Sequence, residues 1–144
     1  MLEARSILER KGSDVATVGR DATVLDAAKL MNARRIGALV VTDGQHAVGI
    51  FTERDILNRI VAAGKDSATV RVGDVMTSPM ACCRRNTQLT ECKAVMTAKR
   101  IRHLPVVEEG KLYGLISIGD LMATETADQQ QTIEYLHQYL YGRA

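Results

Sequence analysis

Apolar positions in the first half of the chain change from a helical period to the two-residue period of strands and back again. The helical spacing begins after Thr23, which stands three residues before Asp26 as in a capping box. Two β-branched runs follow, IGALVVTD and HAVGIFT, and the turn residues Asp43 and Gly44 separate them. The next run, ERDILNRIVAAG, again has helical spacing and ends at Gly64. This part of the chain therefore predicts a helix, two strands and a second helix.

The same pattern of elements occurs twice. When the sequence is shifted by 65 positions, residues 23–57 align with residues 88–122 without a gap. The identical pairs include Met31 with Met96, Ala33 with Ala98, Arg35 with Arg100, Ile36 with Ile101, Leu39 with Leu104, Val41 with Val106, Gly49 with Gly114 and Asp55 with Asp120. Pro105 lies within a strand run of the second copy and predicts an edge or terminal strand. Two units are too few for a solenoid, so we expect them to pack face to face about a pseudo-twofold axis.

The predicted boundaries divide the chain into four parts. They are a first repeat with its N-terminal segment at 1–64, a linker at 65–78, a second repeat at 79–124 and a C-terminal helix at 125–144. The linker is polar apart from a short apolar turn around Val72, Val75 and Met76, which indicates a connection within one compact module. The C-terminal helix is predicted from apolar residues at helical spacing, namely Ile133, Leu136 and Leu140.

Composition and charge restrict the classes of partner. The 144 residues are 46% hydrophobic, which is enough for a packed core. The 19 basic and 17 acidic residues give a formal net charge of +2, too balanced for nucleic acid or an anionic membrane to be the main partner. No apolar run approaches the roughly 20 residues of a membrane span, and the start MLEARSILERKG is too charged for a secretory signal. We therefore expect a cytoplasmic protein that binds neither nucleic acid nor membrane.

The cysteines predict neither a disulfide framework nor a metal site. Cys82, Cys83 and Cys92 are odd in number and lack the spacing of metal ligands, and the histidines lie in unrelated contexts. We predict reduced thiols and no bound metal. For Cys82, a small buried side chain is the expected role in preference to an oxidant sensor.

Seven residues, GIFTERD at 49–55, return as GLISIGD at 114–120 with a glycine, a hydroxyl and an aspartate in the same places. One interpretation is a pair of capping boxes, in which each aspartate caps the helix that follows its strand. The other is a ligand site, because a helix N-terminus holds phosphate and an aspartate can accept two hydrogen bonds from a vicinal diol such as ribose. In the second interpretation, Gly49 and Gly114 leave room for a flat ligand. Duplication of the whole set favours the ligand site.

The motifs GIFTERD, GLISIGD, VGDVMT and RIRHLPVV resemble those of the CBS-domain pair, or Bateman module, over about residues 13–122. The resemblance, which extends to stand-alone bacterial signalling and regulatory members, implies an α+β fold of two βαββα-like repeats, here followed by the C-terminal helix. It also implies two clefts between the repeats that bind adenosine compounds, with AMP, ADP, ATP and NAD as the candidate ligands. Ribose and phosphate would lie against Thr52 and Asp55 in one cleft and against Ser117 and Asp120 in the other.

The same resemblance implies the remaining site residues. The adenine would contact Ala16, Thr17, Ile36, Gly37 and Ala38 in one cleft, and Ala81, Cys82, Ile101, Leu104 and Pro105 in the other. The candidate phosphate ligands are Arg35, Arg54, Arg100, Arg102 and His103. Arg102 and His103 stand where the first repeat has Gly37 and Ala38, so the two clefts are expected to differ in phosphate preference. His103 is expected to titrate near neutrality.

We predict a non-catalytic sensor whose ligand bridges the repeats and shifts the module toward a conformation that an effector protein recognises. The resemblance also implies a disc-like homodimer, with the C-terminal helix in the contact. The alternative is a ligand-free structural or redox-linked interaction protein that acts through the C-terminal helix. An enzyme is disfavoured because the sequence has no P-loop and no nucleophile with an adjacent base.

Overall fold

Two copies of one arrangement of strands and helices make up the α+β fold. The computed structural model describes residues 2–125 and residue 137. Helix α1 (Ala4–Lys11) comes first. The first repeat then contains β1 (Thr17–Gly19), α2 (Val24–Arg34), β2 (Ala38–Asp43), β3 (His46–Thr52), α3 (Glu53–Asp55) and a π-helical segment (Ile56–Val61). Helix α4 (Val72–Val75) lies in the segment that connects the repeats. The second repeat contains α5 (Leu89–Lys99), β4 (His103–Glu108), β5 (Lys111–Ser117) and α6, which is described over residues 118–125.

The prediction of a helix, two strands and a second helix in each unit is confirmed. At the start of α2, Thr23 Oγ1 accepts a hydrogen bond from the Asp26 N–H at 3.1 Å, as the capping spacing predicts. Helices α2 and α5 each end at an arginine in the left-handed conformation, Arg35 with φ of 54° and Arg100 with φ of 55°. The segment Ile56–Val61 is π-helical, which apolar spacing alone does not predict.

Pro105 explains why the two sheets differ. In the first sheet, β2 lies between β1 and β3, and the Val40 N–H donates to the Ala16 carbonyl at 3.3 Å. Pro105 is the counterpart of Val40 and has no N–H to donate. Among the described residues, the second sheet accordingly consists of β4 and β5, with one isolated parallel bridge between Cys83 and Val106 beside β4. The predicted edge position of Pro105 is confirmed.

The two short helices that precede the repeats are exchanged between them. Ile7 and Leu8 of α1 are buried in the core of the second repeat, whereas Val72 and Val75 of α4 are buried in the core of the first. The apolar turn predicted in the linker is therefore a helix that completes the first core. Burial of apolar surface stabilises by about 25 cal/mol per Å², so the exchange opposes separation of the two repeats.

The predicted C-terminal helix at 125–144 falls outside the described residues, except for Glu125 and His137, which are both helical. Ile133, Leu136 and Leu140, from which this helix was predicted, also lie outside the described residues. Within the described parts of the chain, no helix combines the length and the apolar character that crossing a lipid bilayer demands.

Candidate functional site

Residues 49–55 and 114–120, which carry the repeated motif, are called here the first and the second corner. A cleft of about 450 Å³ lies between the two repeats at the first corner. This volume is in the range of roughly 300–1,000 Å³ that small-molecule sites occupy. Its walls are formed by Gly37, Ile50, Thr52, Glu53, Arg54 and Asp55 of the first repeat, by Thr77 and Pro79 of the connecting segment, and by Ala81, Lys99, Arg100, Ile101, Arg102 and His103 of the second repeat. The corner of one repeat and the turn after α5 of the other therefore form a single site.

Asp55 is the buried acid of this cleft, with 6% of its surface exposed. Its Oδ2 accepts from the Thr52 N–H at 3.0 Å, and its Oδ1 accepts from the Thr77 hydroxyl at 3.0 Å. Arg59 Nε lies 3.6 Å from Oδ1. Thr52 Oγ1 accepts in turn from the Asp55 N–H at 3.4 Å, which completes a capping box. The capping interpretation is confirmed at this corner, and the case for a ligand depends on the rest of the cleft.

Cations outnumber carboxylates in the walls of the cleft. Arg54 Nη1 donates to the Arg100 carbonyl at 2.8 Å and thereby joins the two repeats. The cationic side chains of the cleft are Arg54, Lys99, Arg100 and Arg102, and its carboxylates are Glu53 and Asp55. The electrostatic potential in the cleft therefore favours an anionic ligand.

His103 lies in the same cleft and is partly buried. Burial is the main cause that lowers the pKa of His103 below its usual value of 6.5. Glu53 and Asp120 act to raise this pKa, and Arg102 and Lys11 act to lower it. The pKa of His103 is therefore shifted below the value expected from the sequence, which favours the neutral imidazole.

The end of helix α1 contacts the second corner through Lys11. Lys11 Nζ lies 2.8 Å from Asp120 Oδ2 and 2.9 Å from the Leu115 carbonyl oxygen. The Ser117 N–H donates to the same Oδ2 at 2.8 Å, and the Asp120 N–H donates to Ser117 Oγ at 3.1 Å. Burial acts to raise the pKa of Asp120, but the hydrogen bonds from Lys11 and Ser117 outweigh it and hold that pKa below its usual value. This carboxylate already has a cationic partner within the chain.

The glycines of the two corners pack against protein side chains. A Cβ on Gly49 would lie 2.6 Å from Met76 Sδ, and a Cβ on Gly114 would lie 2.9 Å from Leu8 Cδ1. The expectation that these glycines leave room for a flat ligand is wrong, because residues of the exchanged segments fill that space.

The cleft brings together only some of the predicted site residues. Those that line it are Gly37, Thr52, Arg54, Asp55, Ala81, Arg100, Ile101, Arg102 and His103. Arg35 and Ile36 line an adjoining hollow, which shares Gly37 and Glu53 with the cleft. Ala16 packs against the core of the first repeat, Thr17 is exposed on β1, and Ala38 and Pro105 are buried in their strands.

Cys82 and Leu104 line a different cavity, beside β4. They lie apart from Ala81 and Ile101, with which they were predicted to share a cleft, because Ala81 and Ile101 line the cleft at the first corner. Cys82 is also exposed, so its predicted burial is wrong.

Several residues that line the cleft or contact the second corner were not predicted from the sequence. Glu53 and Thr77 line the cleft beside Asp55, and Lys99 lines it beside Arg100. Thr77 belongs to the motif VGDVMT, which is the signal that could have identified it. The contact of Lys11 with Asp120 arises because α1 packs on the second repeat, and apolar periodicity does not reveal this packing.

Residues 4–62 and 72–125 each match the CBS domain family. The chain is 35% identical over 127 residues to CBS domain-containing protein CBSX3, mitochondrial, of Arabidopsis thaliana, which covers 85% of this chain and 62% of that protein. It is 32% identical over 124 residues to CBS domain-containing protein YhcV of Bacillus subtilis, which covers 86% of this chain and 88% of that protein. The chain thus spans about three fifths of the Arabidopsis relative.

A solved structure of a protein with CBS domains from Burkholderia ambifaria MC40-6 has a similar fold. It is 43% identical, covers 89% of this chain and 96% of its own, and superposes with a TM-score of 0.84. The two family matches each begin at an exchanged helix, α1 or α4, and each contains one of the repeated corners. The chain therefore belongs to the CBS-domain family as a tandem pair.

Proposed function

We propose that this chain is a non-catalytic regulatory module that binds an adenosine-containing phosphate compound, namely AMP, ADP, ATP or NAD, in the cleft at the first corner. The observation that carries the proposal is the composition of this cleft, in which the acceptor Asp55 shares one space with Arg54, Arg100 and Arg102. The proposed role of the Burkholderia relative in signal transduction agrees with a regulatory function.

Asp55 is the group proposed to hold the ribose. The Thr77 hydroxyl now donates to its Oδ1 at 3.0 Å, and a hydroxyl can rotate toward a different partner because it both donates and accepts. A ribose hydroxyl that takes this place would donate to a charged acceptor, a hydrogen bond worth about 1.5–3 kcal/mol. Thr77 could then accept from the same ligand.

The phosphates are proposed to lie toward Arg100 and Arg102. A guanidinium binds phosphate through paired hydrogen bonds and keeps its charge at any relevant pH. Arg54 is partly engaged, because it donates to the Arg100 carbonyl at 2.8 Å, while Lys99 adds a further cation to the cleft. We expect ligands with two or three phosphates to bind more tightly than AMP.

The second corner is proposed to stay closed, so that one ligand binds per chain. A neutral diol that reached Asp120 would have to displace the ammonium of Lys11, which lies 2.8 Å from that carboxylate. The ion pair is partly buried, and its loss would not be offset by a neutral donor.

A ligand in the first cleft would link the two repeats, because the walls come from both. It would favour the arrangement of the repeats in which all its contacts are made, and the resulting shift in population is the proposed signal to an effector protein in the cytoplasm.

The disc-like homodimer is part of the same proposal. Leu57 and Val61, with 59% and 65% of their surfaces exposed, provide an apolar surface for such a contact beside α3.

Calorimetry and thermal unfolding with AMP, ADP, ATP, NAD, S-adenosylmethionine and GTP test the proposal. A ligand at 100 times its dissociation constant adds about 2.7 kcal/mol of stability. We expect adenine compounds to bind with one site per chain, and ATP to be recovered unhydrolysed. Arg102→Gln is expected to weaken ATP binding roughly tenfold or more. Arg71→Gln is the matched control, since Arg71 is exposed and pairs with exposed Asp21 at 3.5 Å.

Three results would contradict parts of this proposal. Absence of binding by every compound would favour the ligand-free interaction protein. Equal binding of GTP and ATP would exclude recognition of adenine. Two sites per chain would show that the second corner opens to ligand.

A further inference from the structure

All three cysteines of the chain line one cavity of about 460 Å³ beside β4. This cavity shares no lining residue with the cleft at the first corner. Cys82 is exposed, whereas Cys83 and Cys92 are buried in the core of the second repeat. The cysteines therefore form a cluster in space, although Cys92 is distant from the other two in sequence.

Cys83 and Cys92 reach this cluster from two different elements. The Cys83 N–H donates to the Pro105 carbonyl at 2.9 Å, and the Cys83 carbonyl accepts from the Val107 N–H at 2.9 Å, so the backbone of Cys83 is fixed against β4. Cys92 lies in the first turns of α5, which begins at Leu89. Both side chains are buried in one core and line one cavity, and each thiol influences the pKa of the other.

The contact makes the two thiols chemically unequal. The hydrogen bond from Cys83 lowers the pKa of Cys92 below its usual value, although burial and Glu91 oppose this. The same contact, together with burial, raises the pKa of Cys83. The dipole of the 11-residue helix α5 also favours a thiolate near its N-terminus. Cys92, in the first turns of α5, is thus better placed than Cys83 to act as the nucleophile of the pair.

We propose that Cys83 and Cys92 form a reversible intramolecular disulfide when hydrogen peroxide enters this cavity. The Cys92 thiolate attacks the O–O bond and becomes a sulfenic acid, and the released hydroxide is protonated to water. The Cys83 sulfur then attacks the sulfenic sulfur, and the thiol proton and the sulfenic hydroxyl leave together as a second water. Two thiols are oxidised and one peroxide is reduced to two waters. A small dithiol reverses the reaction by disulfide exchange.

The disulfide would join two elements that both lead to the cleft between the repeats. Ala81, two residues before Cys83, lines that cleft, and so does Lys99 at the end of α5. Oxidation of Cys83 and Cys92 is therefore expected to affect the residues that the second repeat contributes to the cleft, through Ala81 and Lys99. The chemistry itself does not depend on whether a nucleotide binds there.

Alkylation and mass spectrometry of the full-length protein test the proposal. The reduced protein is treated with hydrogen peroxide, quenched with catalase, denatured and reacted with iodoacetamide. We expect one alkylated cysteine, Cys82, a mass lower by two hydrogens, and a proteolytic peptide pair joined through Cys83 and Cys92. Dithiothreitol should restore three alkylated cysteines. Cys82→Ser should keep the cross-link.

Three alkylated cysteines after peroxide treatment would overturn the proposal. So would oxidation confined to Cys82, or a cross-link that includes Cys82. Cys83→Ser and Cys92→Ser should each abolish the cross-link, with folding checked by circular dichroism. Since a buried serine can prevent folding, the peptide map of the wild-type protein decides the question by itself.

Discussion

Lys11 lies 2.8 Å from the carboxylate of Asp120, so the end of the first helix closes a corner 109 positions further along the chain. The acid of the first corner, Asp55, instead accepts from the hydroxyl of Thr77 at 3.0 Å, with Arg59 at 3.6 Å. The two corners are alike in sequence but differ in their partners, because different exchanged segments lie against them. The first corner therefore opens on a cleft, whereas the acid of the second corner has a cationic partner from α1.

Replacement of Lys11 by methionine is expected to raise the pKa of Asp120. In the wild-type protein this pKa lies below its usual value of 3.8, chiefly through hydrogen bonds from Lys11 and Ser117 that outweigh burial. The depressed pKa contributes stability that is present above pH 3.8 and is lost as the pH falls through the folded-state value. Carboxyl NMR titration and urea unfolding between about pH 6 and about pH 2 measure both effects. Arg5→Met, which removes an exposed pair with Glu3, is the control. An unchanged pKa of Asp120 in Lys11→Met would refute the assignment.

Gly114→Ala is expected to destabilise the second repeat by about 1–3 kcal/mol, as overpacked cores do. The added Cβ would lie 2.9 Å from Leu8 Cδ1, and Leu8 is 8% exposed and has little room to move. Leu8→Ala alone is expected to cost about 2–5 kcal/mol. In the double variant the two costs should not add, because the smaller side chain at position 8 accommodates the new methyl group. Urea unfolding of the four proteins measures the coupling, and strict additivity would show that Leu8 does not pack on Gly114.

Asp55→Ala is expected to weaken the fold even in the absence of a ligand. Asp55 is 6% exposed and accepts from the Thr52 N–H and the Thr77 hydroxyl, and donors left without an acceptor cost about 1–3 kcal/mol. Thr77→Val removes only one of these hydrogen bonds and should cost about 0.5–1.5 kcal/mol. Urea denaturation midpoints give both values. Equal midpoints for Asp55→Ala and the wild type would mean that the acid has no structural role.

Much of the fold could be predicted from the sequence, because the residue patterns that define its helices and strands are local and occur in both repeats. The 65-position repeat located both corners, and the spacing from Thr23 to Asp26 located the start of α2. Pro105 predicted an edge strand because the missing N–H is a property of the residue itself. The π-helical form of Ile56–Val61 was beyond this reasoning, since apolar spacing does not determine the hydrogen-bond pattern of a helix.

The candidate site was predicted less completely, because it depends on which segments meet. Thr52, Arg54 and Asp55 lie together at the first corner, as predicted. Arg102 and His103 were expected to distinguish the second cleft from the first, but they line the same cleft as their counterpart Gly37. The contact of Lys11 with Asp120 follows from the exchange of α1, which no local pattern encodes. Cys82 lines the cavity beside β4 instead of the cleft that its neighbour Ala81 lines, a difference that no local sequence pattern predicts.

His103 gives a test that separates the free protein from its proposed complex. In the free protein, burial lowers the pKa of His103, so the folded state binds fewer protons than the unfolded state. The stability that neutral His103 contributes is fully present above pH 6.5 and decreases as the pH falls toward the folded-state pKa. A phosphate compound in the same cleft would favour the imidazolium and raise this pKa.

Binding of ATP is therefore expected to take up a proton near pH 6 and to strengthen as the pH falls. Calorimetry in two buffers of different ionisation enthalpy measures the proton uptake, and imidazole NMR signals assign it to a histidine. His103→Gln should remove the uptake while keeping a side chain that forms hydrogen bonds. His46→Gln is the matched control, because His46 is exposed at the start of β3 and does not line the cleft. Binding without proton uptake would place the phosphates away from His103, toward Arg54 and Lys99.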